Sequence, residues 1–454
     1  MKRYALVLLL FLLYGYTYAA ERISLSGYIK NETSIRIKDF NNDLTKAKNI
    51  VELAGEYKIK DDDLVFFAKV KYWYDAMYDS REEYDSGQHY QGHIQRTDWV
   101  RDCYIDYTRN PWFLRLGKQQ VAWGQADGIP ILDRVNPFDL TEYWLQDFVD
   151  MRIPLWMANI NYSPKLNSNL QLLIIPDFEQ STAAYPYSPF VFYSTTRFEN
   201  WRKAQTNVDL NIYYPEKKFE NSTFGLQWSD RIGDLNYTLN FLSGYYYSVR
   251  NYTIFVSPGN WRVNRSFKRW KMYGTSMNKT FTNPGPLQGI TLRGDFAYYD
   301  DEPMYWGDPV IASSSGIKRL DNIFWLMGLD KYVVTNWLVS FQYAQYILQN
   351  SKPGATTPQK NYFFNPYTYG PQDPLEHIFS LKISTDFMNE RLKPELLWSF
   401  TDDNQGRLSP KLTYEMKDNL WLTLGIHYFY GNLWDSNGQF RDQSQFYTQV
   451  KYTF

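Results

Sequence analysis

The chain has 454 residues, a net charge of −1 and a mean hydropathy of −0.52, with 40 Tyr, 29 Phe and 16 Trp. Near-neutral charge gives no case for a nucleic-acid partner, and Cys103 as the single cysteine excludes an intrachain disulfide. After the N-terminal region no apolar run is long enough for a membrane helix, a test that a β-barrel escapes because only every second strand residue must face lipid.

Met1-Lys2-Arg3 is basic, Ala5 to Leu13 is almost wholly apolar, and Thr17-Tyr18-Ala19 places small residues at −3 and −1 of a cleavage site. Residues 1–19 therefore read as a secretory signal peptide cut after Ala19, because cleavage one residue later would put Tyr18 at −3. No cysteine follows that region to carry a lipid.

From Ile23 onward, apolar and polar residues alternate with period two. Ile23, Leu25, Gly27, Ile29, Ile35 and Ile37 share one face, and Ser24, Lys30, Glu32, Ser34 and Arg36 share the other. Similar runs follow at 51–58 and 64–75, then near 98–109, 112–119, 154–163, 169–177, 222–230 and 234–246. Others lie near 266–279, 289–300, 320–330, 335–346, 376–387, 393–401, 408–416, 420–430 and 444–454. The run at 320–330 is apolar on both faces and fits least well. The tally is about eighteen strands, with sixteen as the alternative.

Compact turn sequences at 59–63, 109–111, 231–234, 283–286 and 417–419 alternate with longer stretches at 77–97, 120–153, 178–221, 247–265, 301–319 and 347–375. Such asymmetry predicts short periplasmic turns and long extracellular loops. No fixed repeat suggests a propeller or a β-helix. The predicted architecture is all-β: a single transmembrane antiparallel barrel over 20–454. The abundant aromatic rings suit membrane interfaces, and an aromatic-rich carbohydrate binder of the envelope is the alternative.

The predicted lumen wall is polar: Lys69, Lys71, Asp102, Asp106, Arg115, Arg269, Lys271, Arg293, Asp295, Lys382, Lys411, Glu415 and Lys451. Both signs occur, so ion selectivity stays open, and pairing between neighbouring strands is the alternative role.

The most distinctive segment is 120–153, a long connection without charge runs or low complexity, which marks an ordered and functional loop. Asn136-Pro137-Phe138-Asp139 is a turn or a helix start with Asn136 as cap. Trp123, Asp127, Asp133, Arg134, Asn136, Asp139, Asp147, Asp150 and Arg152 form the candidate pore-constricting set, with Glu142 as a further acid. Ile129, Ile131, Leu132, Phe138, Leu140 and Trp144 need burial, which favours a loop folded into the barrel mouth over an external lid. A few charges in a narrow low-dielectric opening would then decide which solutes pass.

Two resemblances follow. The last strand sets Phe446, Thr448, Val450, Tyr452 and Phe454 against Gln445, Tyr447, Gln449, Lys451 and Thr453. It resembles the C-terminal strand by which Gram-negative outer-membrane barrels are recognised for insertion, with Tyr452 and Phe454 as the assembly signal. Gly117-Lys118-Gln119-Gln120, Trp123-Gly124, Asp127-Gly128, Asp133, Val135-Asn136-Pro137, Asp139-Leu140, Asp150 and Arg152-Ile153-Pro154 resemble a family of porin-like outer-membrane proteins of unknown function, similar to alginate-export-type barrels. That resemblance implies a large single-chain barrel in a Gram-negative outer membrane, and export of hydrophobic molecules for some members. No strongly basic, alginate-like path is visible in the sequence.

Catalytic signatures are missing from the sequence. His89 and His93 read as solvated loop histidines without a third metal ligand. His377 and His427 lie on strands, but no Ser-His-Asp arrangement can be assembled. No nucleotide or haem motif occurs, so no enzyme activity, metal or cofactor is expected. The expected function is a passive porin for small solutes. The first alternative is an occluded barrel serving as a conduit or docking component of an export or electron-transfer complex, and the second is an enzyme or adhesin. The implied partners are outer-membrane lipid and lipopolysaccharide, the barrel-assembly machinery, and in the conduit reading an envelope export partner.

Overall fold

Period-two alternation becomes a closed wall in the computed structural model, which describes residues 22–38, 43–60, 63–80, 99–186, 188–306, 316–349, 363–364 and 372–454. The first nine wall strands are β1 (Ile23–Arg36), β2 (Leu44–Lys60), β3 (Leu64–Asp75), β4 (Val100–Arg109), β5 (Trp112–Gln119), β6 (Leu155–Lys165), β7 (Ser168–Ile175), β8 (Thr223–Ile232) and β9 (Leu235–Tyr245). The rest are β10 (Arg269–Thr280), β11 (Ile290–Trp306), β12 (Gly316–Val334), β13 (Trp337–Leu348), β14 (Leu375–Ser384), β15 (Leu392–Thr401), β16 (Gly406–Lys417), β17 (Leu420–Tyr430) and β18 (Gln445–Thr453). Each strand pairs antiparallel with the next, making an 18-strand barrel. The signal-peptide region and His89 and His93 lie outside the described residues, as do parts of the loops expected at 77–97, 301–319 and 347–375.

Closure joins the two ends of the chain. β1 pairs with β18 from Tyr28↔Thr453 to Arg36↔Gln445, and Gly27 and Phe454 exchange both backbone hydrogen bonds, 2.8 and 3.0 Å. Gly27 lacks a side chain where a Cβ would lie 2.9 Å from the Phe454 ring, so the terminal ring seats on the seam. A barrel without a free edge satisfies its backbone groups internally, as lipid requires.

The outer face carries exposed apolar residues in period two, for example Leu25 and Ile29 on β1, Leu239 on β9, Phe296 on β11 and Met327 and Leu329 on β12. Their neighbours point inward and are buried or polar. Among the described residues no helix is long and apolar enough to cross a membrane, which says nothing of strands.

Both chain ends of the barrel lie on the side of the short turns, such as 110–111, 166–167, 233–234, 335–336 and 418–419. The opposite mouth carries the longer connections. These add a helix (Tyr193–Lys203) and a three-stranded sheet of Asn207–Tyr213, Asn260–Ser266 and Arg250–Ser257, none of which the alternation predicts.

The interior is asymmetric. The inner faces of β6 to β13 supply Leu155, Met157, Leu173, Ile175, Leu242, Trp270, Met272, Ala297, Tyr299, Phe324, Leu326 and Ala344 to one buried apolar cluster. Its other half is the 120–154 segment, through Val121, Trp123, Ile131, Leu132 and Val135. This explains the double-sided strand at 320–330: Met327 and Leu329 face outward, while Phe324 and Leu326 face the loop.

Candidate functional site

The 120–154 segment is held at its base by Asn136, which is 1% exposed. Its Oδ1 accepts from the Val121 amide at 2.8 Å, and its Nδ2 donates to the Ile153 carbonyl at 3.0 Å. Asn136 thus ties the two ends of the loop together and caps no helix. The chain instead forms a two-residue strand, Asp139–Leu140, beside Thr182–Ala183, and a short helix only at Phe148–Met151. Arg152 donates from Nε and Nη2 to Asp133 at 2.9 and 2.6 Å, a forked pair buried inside the loop. Burial pushes the Asp133 carboxyl up, and Arg152 counters it.

From this base the loop reaches β11 and β13. Asp295 accepts from the Gln125 amide at 2.9 Å and the Ala126 amide at 3.0 Å. Gln342 exchanges two 2.9 Å hydrogen bonds with the backbone of Asp127. Arg293 donates to the Gln125 carbonyl at 2.6 Å, and pairs with Asp127 at 3.0 Å and Asp330 at 2.9 Å. Two glycines allow the approach. Gly124 has φ +95°, and a Cβ there would lie 2.7 Å from Asp295 Oδ2. At Gly274 a Cβ would lie 2.2 Å from Leu132 Cδ2, so the glycine is the socket for that side chain.

The same loop also meets the opposite wall. Glu142 pairs with Lys46 and with Lys48, the latter at 2.7 Å, both on β2. Asp150 pairs with Lys71 on β3, and Arg407 on β16 donates to the Trp144 carbonyl. Arg101 on β4 donates to the Val149 and Arg152 carbonyls at 2.7 and 2.8 Å. Strands β2 and β11 stand half a circumference apart in an 18-strand ring, so the loop crosses the interior. Burial raises the Glu142 carboxyl, but Lys46 and Lys48 outweigh it and hold the group below its ordinary range. Asp150 is also held low: burial raises it, and Lys71 and Lys30 outweigh that.

Two cavities flank the crossing. One of about 340 Å³ lies against β1 to β3 and β14 to β18, with Lys30, Lys48, Lys71, Lys382, Lys411 and Glu395 on the wall and Glu142, Asp147 and Asp150 on the loop. The other, about 290 Å³, opens toward the long connections and is lined by Arg134, Tyr246, Glu302, Tyr305, Phe324 and Tyr346, among others. Asp127, Gly128, Trp144, Leu397 and Arg407 line both cavities.

The residues singled out in the sequence separate into groups. Asp127 and Asp150 reach wall cations, and Asp147 is exposed. Asp139 accepts from Thr141 and Thr182 at 2.7 and 3.0 Å. Trp123 is buried in the apolar cluster and donates to Gln171 at 2.8 Å. Arg134 lies 5.6 Å from the Tyr299 ring.

On the wall, Arg115 pairs with Asp106 at 2.7 Å, Lys69 with Asp102 at 3.8 Å, and Lys382 and Lys411 with Glu395 at 3.5 and 3.0 Å. Glu415 sits near a short turn and accepts from the Asn419 amide at 3.3 Å. Lys451 lies 4.4 Å from the Tyr28 ring. Arg269 and Lys271 leave the set. Trp270 and Met272 are the buried inner residues of β10, so Arg269 and Lys271 take the outward register, where Lys271 meets Asp300 at 2.9 Å.

Lys46, Lys48, Arg101, Gln342, Glu395 and Arg407 are contact residues that the sequence reading did not select. Lys46, Lys48, Gln342 and Arg407 have an inward register readable from alternation, but the loop acids and carbonyls they meet lie dozens to hundreds of residues away. Glu395 meets Lys382 and Lys411 on the neighbouring strands, and Arg101 turns inward beside Asp102 where the β3–β4 register shifts.

No curated protein matches this chain. Among solved structures it is similar to OccAB4 of Acinetobacter baumannii, with TM-score 0.51 and 10% identity, over 95% of this chain and 97% of that one. It is similar to OccAB2 of the same organism, also with TM-score 0.51 and 10% identity, over 96% of this chain and 98% of that one. A third similar structure is the outer membrane channel DcaP of Acinetobacter baumannii, with TM-score 0.42 and 10% identity, over 95% and 97% of the two chains. The fold is that of a porin-like outer-membrane β-barrel. The profile of the family described as "Protein of unknown function (DUF1302)" matches residues 34–454, and the chain belongs to that family.

Proposed function

We propose that the protein is a passive outer-membrane channel for small solutes, with a lumen narrowed by the 120–153 loop and no covalent chemistry or energy coupling. One observation carries this reading: cavities on the two sides of the loop share five lining residues, among them Asp127 and Arg407. Solutes would pass between the acidic loop and the basic wall of β1 to β3 and β14 to β18, where a low dielectric magnifies the field of a few charges. The reading includes export with cleavage after Ala19, insertion through the Tyr452 and Phe454 end, and a surround of lipid and lipopolysaccharide.

Single-channel conductance of the refolded protein in a planar bilayer under a salt gradient tests it. A stable ohmic current whose ion preference shifts when Asp127, Asp147 and Asp150 become Asn supports the channel. The apolar packing that fills the inner faces of β6 to β13 favours a second reading, an occluded conduit or docking component of an envelope complex. A silent membrane despite verified insertion would support that reading and count against the channel.

A further inference from the structure

We infer that the cavity on the long-connection side binds a small organic anion with an apolar body, whose charged group is held by Arg407. The inference rests on the channel reading, because it names the solute class, and the experiment below separates the two.

Arg407 lines both cavities and is half-buried. Among the described residues its guanidinium makes one hydrogen bond, to the Trp144 carbonyl, while its Nε has no partner and no carboxylate lies within ion-pair distance. The wall lysines of the cavity of about 340 Å³ differ, since Lys46, Lys48, Lys71, Lys382 and Lys411 each have an acid. A guanidinium withdrawn from water without an anion is unfavourable, and its planar fork fits a carboxylate or sulfonate.

The rest of the cavity defines the body of the ligand. Tyr246, Tyr305, Phe324, Tyr346 and Ile378 supply rings and methyl groups. The lining acids are mostly engaged. Glu302 accepts from Asn322 and from Tyr346, each at 2.8 Å, and Asp127 pairs with Arg293. Glu376 also lines the cavity, with Asp403, Asp373 and Asp402 close enough to act on its charge, so a negative group is disfavoured at that end and favoured beside Arg407. A volume of about 290 Å³ admits an aromatic or alicyclic monoacid and sits at the lower end of ordinary ligand sites.

The test titrates the full-length refolded protein with benzoate, its uncharged analogue benzyl alcohol, and acetate, by current in bilayers and by calorimetry in detergent. Benzoate is expected to bind saturably and to reduce the potassium chloride current. Benzyl alcohol and acetate should each bind about tenfold more weakly or worse. Arg407→Gln is expected to bring benzoate down to the level of benzyl alcohol, and Arg407→Lys to retain part of the difference. If Arg407→Gln does not fold, the wild-type ranking decides: benzyl alcohol or acetate equal to benzoate overturns the site. A conducting protein that does not distinguish the probes refutes the site and leaves the channel. A silent protein that binds benzoate through Arg407 refutes the channel and keeps the site.

Discussion

Gly274 and Leu132 show how a single missing side chain seats the interior loop. A Cβ at Gly274 would sit 2.2 Å from Leu132 Cδ2, and Leu132 is fully buried. Gly274→Val should therefore lift the loop from the wall at a cost of about 1–3 kcal/mol, typical of overpacking. Lower thermal stability of the detergent-solubilised barrel with an altered conductance is the expected result, and wild-type behaviour in both would contradict the packing described. Glu142 makes a second residue-scale case. Its folded-state carboxyl lies below its ordinary range, so its contribution is fully present above the unfolded value of about 4 and is lost as pH falls through the lower folded value. Asp150 follows the same sign. The part of the pH response that depends on Glu142 should appear only below about pH 4, and Glu142→Gln should show the altered conductance already at pH 7. A variant whose conductance matches wild type at pH 7 would contradict this assignment.

At the scale of the element, β11 combines two faces with opposite demands. Phe296 is outward and exposed, whereas Asp295 beside it is buried and accepts amide hydrogen bonds from the loop. Phe296→Arg should destabilise the inserted barrel by about 2–4 kcal/mol if this position lies near the bilayer midplane, measurable by urea titration in vesicles. Asp295→Asn should leave folding into vesicles nearly intact but loosen the loop, because an amide presents only one carbonyl oxygen to the donors that the carboxylate now serves. Faster proteolysis within 120–153 would be its signature, and an unchanged cleavage rate would refute the anchoring role. Strand positions were legible in the sequence because alternation is local. The predicted and observed bounds of strands such as β5 and β17 coincide. Arg269 and Lys271 were misplaced for a related reason: polarity alone put them inside, while Trp270 and Met272 needed the apolar cluster that only the folded loop provides.

For the whole molecule, the loop divides the barrel into a packed half and a wet half. Leu132, Ile131 and Val135 are buried against β6 to β13, each worth about 1.5–3 kcal/mol relative to exposure. The open side is bounded by the basic wall and the loop acids. Deleting 125–134 should remove the packed half's cover and the contacts to Asp295 and Gln342 together. A conductance severalfold above wild type is expected from a lumen so widened, and an equal or smaller one would mean that the loop does not limit the path.

The division between sequence and structure follows from the range of the forces involved. A strand's inner and outer faces are set by residues two apart, so the class of fold, the strand number and the asymmetry of turns and loops could be read along the chain. The inward burial of 120–153 was also indicated, since Ile131, Leu132 and Phe138 had to leave water. Which wall the loop would meet was not legible. Asp295 with Gln125, Glu142 with Lys46 and Arg407 with Trp144 are separated by 170, 96 and 263 residues. Ring closure brings those residues into contact, and with them the interior site, so only the tertiary structure could decide these pairings.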